Sequence, residues 1–132
     1  MTTARHVIRT DDAPAPVAPY NQAVAAAGLV FASGNVGVDR ATGSLVEGGA
    51  GAEAERAIHN LGLILDAAGS GLDRVLKTTV FLVDMADYAA VNEVYRTAFP
   101  EPYPARTTVA VAALPLGARV EIECVALGPD GS

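Results

Sequence analysis

The segment Arg119–Leu127 limits the possible folds more than any other stretch of the chain. Val120, Ile122, Cys124 and Ala126 alternate there with Glu121 and Glu123. Successive side chains of a strand point to opposite faces, so the pattern predicts a strand with one apolar and one acidic face. Such a strand needs a sheet whose one face meets a core. Arg106–Ala113 alternates in the same way, with Thr107, Val109 and Val111 against Thr108, Ala110 and Ala112. Asp73–Val83 is rich in β-branched residues (Val75, Thr78, Thr79, Val80, Val83) and reads as a third strand. Asn21–Ala27 and Leu29–Gly34 read as two strands joined by a tight turn at Gly28, and Arg5–Arg9 as a short edge strand.

Two segments carry the helical period instead. In Gly51–Ala68, Ala54, Ala57, Ile58, Leu61, Ile64, Leu65 and Ala68 share one face, and Gly69 and Gly71 supply a stop. Met85–Phe99 is a second amphipathic helix, with Asp84 or Asp87 as its cap and Tyr88, Val91, Tyr95 and Ala98 on its inner face. Prolines break the pattern in Asp11–Pro19 and at Pro100, Pro102 and Pro104, where extended loops are expected. Leu114–Ala118 is a turn around Pro115 and Gly117. The expected order is β-β-β-α-β-α-β-β. The economical packing is α+β: a two-layer sandwich with a mixed sheet and both helices on one face. The other sheet face must then be polar or bury against partners.

At 132 residues the chain is read as a single domain, 1–132. Hydrophobic residues make up 51% and charged residues 18%. That excess excludes disorder and suggests an oligomer. The longest apolar stretches run about 10 residues, against about 20 for a membrane span. The net charge of -6 and the scattered basic residues argue against a nucleic-acid partner. With one cysteine, Cys124, no intrachain disulfide can form, and Met1–Thr10 lacks a signal-peptide core. The expected compartment is the cytoplasm.

Phosphate-loop and serine-elbow motifs are absent. Cys124 falls on an apolar strand face and reads as structural. His6 and His59 have no i, i+4 ligand partner, so no metal site is expected. A sparse polar set remains. Arg106 opens an apolar strand, either as an exposed strand end or as a planar fork that binds a carboxylate by two hydrogen bonds. Glu121 and Glu123 either solvate a sheet face or place one carboxylate in a cleft as a proton shuttle. Tyr20 is a loop anchor or a cleft wall with a hydroxyl. Asn92 lies at the edge of the second helix's inner stripe, where an amide can bridge to the backbone. Arg106 and Glu121 are expected on adjacent strands.

The order of short motifs is more specific than any one of them. Ala18-Pro19-Tyr20-Asn21-Gln22, Ala32-Ser33-Gly34-Asn35, Lys77-Thr78-Thr79-Val80-Phe81-Leu82, Val91-Asn92-Glu93-Val94-Tyr95, Pro104-Ala105-Arg106-Thr107-Thr108, Leu114-Pro115 and Val120-Glu121-Ile122-Glu123 follow one another. This series resembles the Rid family (reactive intermediate deaminases, also called YjgF or L-PSP) from about residue 7 to 128. The resemblance implies a chorismate-mutase-like six-stranded sheet with two helices on one face. It also implies a homotrimeric barrel with three clefts between subunits, and hydrolysis of 2-imino acids to 2-keto acids and ammonia without a cofactor. The family's carboxylate-binding arginine falls on Arg106, its glutamate near the imine nitrogen on Glu121, its cleft tyrosine on Tyr20, its glycine on Gly34 and its helix asparagine on Asn92. Many members have cysteine where this chain has Thr108, and glutamine where it has Asn35. The partner implied is a small imino or keto acid, with neither nucleic acid nor membrane. Two other functions stay open: a specialised Rid-type hydrolase of another aminoacrylate-like intermediate, and a non-catalytic trimer that binds small carboxylates. The endoribonuclease activity attached to the family's name fits poorly with the acidic charge.

Overall fold

A computed structural model describes residues 4–129. Six strands form one sheet: β1 (His6–Ile8), β2 (Ala23–Ala26), β3 (Leu29–Val36), β4 (Val75–Leu82), β5 (Ala105–Ala110) and β6 (Val120–Leu127). Their spatial order is β1-β2-β3-β6-β4-β5. All neighbours are antiparallel except β4 and β5, which are parallel. A parallel pair needs a long crossover, and α2 (Tyr88–Ala98) supplies it. Ala27 and Gly28 join β2 to β3 with positive φ at both residues (53° and 78°), the signature of a type I′ hairpin.

The first helix, α1 (Ala50–Ala67), follows its apolar period closely. Ala54, Ala57, Ile58, Leu61, Ile64 and Leu65 are each no more than 1% exposed. Gly69, at φ 74°, ends it: the Gly69 N–H donates to the Asp66 carbonyl and the Ser70 N–H to the Leu65 carbonyl. Together these make a Schellman cap. At the other helix Asp84 is the side chain that caps, accepting from the Ala86 N–H. It starts a short 3₁₀ turn, Met85–Asp87, so the regular helix begins three residues later than its periodicity suggests.

Val30, Ala32, Val80, Leu82, Val120, Ile122, Cys124 and Ala126 meet the apolar stripes of α1 and α2 in one core. The expected two-layer α+β sandwich, with a six-stranded mixed sheet, is therefore present. On the opposite face Phe31 is 46% and Val109 39% exposed, and Val24, Phe81 and Val125 are half-buried. Glu121 and Glu123 lie on that face, as the alternation predicts. β5 ends at Ala110 rather than Ala113, although the Val111 N–H still bonds the Leu82 carbonyl.

Candidate functional site

The first group of candidate residues surrounds a cavity of about 630 Å³. Its roof is the proline loop, which cannot pair in a sheet and is held instead by one buried amide. Gln22 Nε2 donates to the carbonyls of Thr10 (3.1 Å) and Pro14 (3.0 Å), while its Oε1 accepts from the Thr10 N–H (2.8 Å). A buried side chain that satisfies its donors and acceptor in this way fixes the loop. The register of β3 against β6 shifts between Ala32 and Asn35, which turns Ser33 and Gly34 out of the regular ladder. Ser33 Oγ donates to the Asn21 carbonyl (2.6 Å) and thereby ties this bulge to the residue after Tyr20.

Tyr20, Ser33, Gly34, Asn35 and Glu121 all line the cavity. The Glu121 carboxylate packs directly on Gly34: a Cβ there would lie 2.9 Å from Glu121 Cδ and 3.1 Å from Cγ. Only glycine leaves that space. Burial pushes the Glu121 carboxyl above its usual range, and the neighbouring Glu123 charge adds to the rise. A carboxyl group raised in this way can both take and return a proton nearer to neutral pH.

The second group lies at the far edge of the sheet. Arg106 stands in register with the buried Thr78, so its side chain points to the helical side. Its Cζ sits 4.8 Å from the ring centre of Tyr95 and 5.6 Å from that of Tyr88. Arg106 Nη2 donates to the Tyr88 hydroxyl at 3.1 Å. The Tyr95 hydroxyl is 2.7 Å from Thr78 Oγ1, and Phe99 packs on its ring at 4.4 Å. Burial raises the Tyr95 phenol, and its bond to Thr78 and the Arg106 charge oppose the rise. Asn92 is half-buried four residues after Tyr88 and three before Tyr95, on the same helix face. Thr108 follows Arg106 on the same side of β5, and its buried Oγ1 has no hydrogen-bond partner among the described residues.

The two groups are not brought together within one chain. Arg106 and Glu121 were expected on adjacent strands, but β4 lies between β5 and β6. The crossover through α2 delivers β5 to the outer edge of β4, so Arg106 is two strands away, about 10 Å across the sheet, and level with Cys124, three residues further along β6 than Glu121. It also faces the helices, whereas Glu121 faces the open side. Tyr20 and Gly34 accompany Glu121; Asn92 and Thr108 accompany Arg106. Cys124 is 3% exposed and burial, with the Glu123 charge, pushes its thiol up to about 12, which suits a structural residue. His59 is exposed on α1. Among the described residues no cluster of three His, Cys, Asp or Glu could hold a metal ion.

The sequence reading placed Tyr88 and Tyr95 in the helical stripe and did not connect them with Arg106. Their hydroxyls were the available signal, since a purely apolar stripe needs none. Leu116 also went unnoticed: it lines the cavity, is 67% exposed and holds a positive φ of 61° between Pro115 and Gly117.

Comparison with known proteins adds the lineage. The endoribonuclease L-PSP family matches residues 10–128. A 2-iminobutanoate/2-iminopropanoate deaminase of Mus musculus is 52% identical over 126 residues, covering 95% of this chain and 93% of its own. The crystal structure of RidA from an Antarctic Psychrobacter superposes with a TM-score of 0.89 at 46% identity, covering 92% of this chain and 98% of that one. E. coli TdcF with bound serine gives 0.88 at 37% identity, with coverages of 92% and 98%. A match over nearly the whole length, in both sequence and fold, shows that this chain belongs to the L-PSP family, the Rid or YjgF proteins.

Proposed function

We propose that the chain is a 2-iminobutanoate/2-iminopropanoate deaminase that hydrolyses reactive 2-imino acids to 2-keto acids and ammonia. The observation that carries the proposal is Arg106. Its guanidinium rests on two tyrosine rings, has no carboxylate partner among the described residues, and neighbours an unpartnered Thr108 hydroxyl. Such a fork is prepared for a substrate carboxylate.

The chemistry then follows from the two groups. Arg106 holds the carboxylate by two hydrogen bonds and fixes the imino carbon. Glu121 orients a water molecule and accepts its proton as the oxygen bonds to that carbon. Glu121 returns that proton to the nitrogen of the resulting carbinolamine, the C–N bond breaks as the C=O bond forms, and the hydroxyl proton passes to Glu121 and on to the released ammonia. A protonated imine is electrophilic enough that the step needs neither metal nor organic cofactor.

The separation of Arg106 from Glu121 calls for an assembly. A four-carbon imino acid cannot reach through the sheet, so Arg106 of one copy would meet the Glu121 cavity of its neighbour. The proposed form is a homotrimeric barrel, the exposed Phe31 and Val109 face turned inward and three clefts between subunits. Tyr20, Gly34, Asn92 and Thr108 would line each cleft. The free Cys124 fits a reducing, cytoplasmic compartment, although an Arabidopsis thaliana relative is named as chloroplastic.

One second reading has a specific observation behind it. A cavity of about 630 Å³ exceeds what a three- or four-carbon imino acid fills, which favours bulkier imino acids and a specialised hydrolase. The test of both is a coupled assay in which an amino-acid oxidase supplies a panel of imino acids. Faster keto-acid release from the alanine and 2-aminobutyrate imines supports the proposal. A marked preference for long side chains supports the second reading. No acceleration with any substrate would leave only a carboxylate-binding protein.

A further inference from the structure

We infer that Tyr88 is a positioning residue for Arg106, its hydroxyl fixing the plane and rotation of the guanidinium that receives the substrate carboxylate. The inference rests on the proposed role of Arg106 and goes beyond it. An arginine at a sheet edge has several freely rotating bonds, and its planar fork binds a carboxylate in two-point fashion only in one orientation. Two contacts restrict it here. The Tyr95 ring lies below Cζ at 4.8 Å and is itself locked by Thr78 at 2.7 Å and by Phe99. A ring alone permits the guanidinium to spin in its own plane. The Tyr88 hydroxyl removes that freedom, because it accepts from one specific nitrogen, Nη2, at 3.1 Å. The bond uses one of five donors and leaves the rest for substrate.

Tyr88 can do this because of where it sits. It is the first residue of α2, directly after the 3₁₀ turn capped by Asp84. Asp87, immediately before it, takes both Nε and Nη2 of Arg119 at 3.0 Å. The start of α2 is therefore tied to the start of β6, and the tyrosine projects from an anchored point. At 40% exposure it contributes little to the core, so removal of its hydroxyl should not unfold the chain.

The test is Tyr88→Phe, which keeps the ring and deletes the hydroxyl. Loss of a partly exposed hydrogen bond to a charged group predicts about a fivefold rise in KM for 2-iminobutanoate and in Kd for 2-oxobutanoate, with kcat within about twofold. The thermal midpoint should stay unchanged. In ¹⁵N NMR the Arg106 side chain should show hindered rotation in the wild type and faster rotation in the variant. Unchanged KM, Kd and rotation in Tyr88→Phe, with Arg106→Ala inactive, would overturn this inference alone. An Arg106→Ala protein as active as wild type would instead overturn the functional proposal on which it rests.

Discussion

The cavity around Glu121 and the edge strand around Arg106 solve the same problem in opposite ways. At the cavity, backbone does the shaping. A bulge in β3, a proline loop stitched by Gln22 and the bare Cα of Gly34 leave room for one carboxylate and raise its pKa by burial. At the edge strand, side chains do it. Two tyrosine rings and one hydroxyl cradle a cation that stays half-exposed. In the proposed mechanism the half-buried carboxyl, with its raised pKa, is the proton shuttle, and the guanidinium without a carboxylate partner among the described residues receives the substrate. The sheet keeps the two regions apart within a chain.

That contrast can be broken most directly by separating the two functions genetically. Arg106→Ala and Glu121→Gln should each lower kcat/KM by roughly 10³-fold. Co-assembled in equal amounts, they should recover roughly a quarter of wild-type activity, because one cleft in four would combine an intact arginine with a neighbour's intact glutamate. No recovery after verified subunit mixing would mean that each site belongs to a single chain. Phe31→Glu comes next. A charge on the open face should dissociate the assembly, seen by light scattering as a fall to the mass of one chain, and activity should fall about 10²-fold with it.

Gly34→Ala sharpens the backbone side of the comparison. The new methyl group would collide with the Glu121 carboxyl, 2.9 Å away at Cδ. The expected result is a loss of about 10-fold to 10²-fold in kcat, with Kd for 2-oxobutanoate nearly unchanged. The smallest effect concerns charge. Glu121 is raised first by burial and then by Glu123. Glu123→Gln should therefore shift the acid limb of the kcat profile to lower pH, leaving the burial part in place. The folded state holds the Glu121 proton more tightly than the unfolded chain. Its favourable contribution is complete below the ordinary carboxylate range and is lost as pH rises through the raised value. Glu121→Gln should accordingly flatten the decline in stability between the ordinary carboxylate range and the raised value.

Much of this was legible in the residues. Alternation in Val120–Leu127 set the strand and placed Glu121 and Glu123 on its open face, because a two-residue period leaves no other choice. The helical period of Ala54, Ile58, Leu61 and Leu65 determined α1 and its buried stripe in the same local way. Ordered motifs placed Arg106 and Glu121 among the candidates. What they could not encode locally was that β4 comes between β5 and β6, or that Arg106 and Glu121 face opposite sides of the sheet. Strand order depends on which edges pair after the α2 crossover. That choice is made by contacts between residues far apart in the chain, as is the meeting of Tyr88 and Tyr95 with Arg106. Periodicity fixes which side of its own element a residue occupies; only the packed sheet decides which neighbours that side will meet.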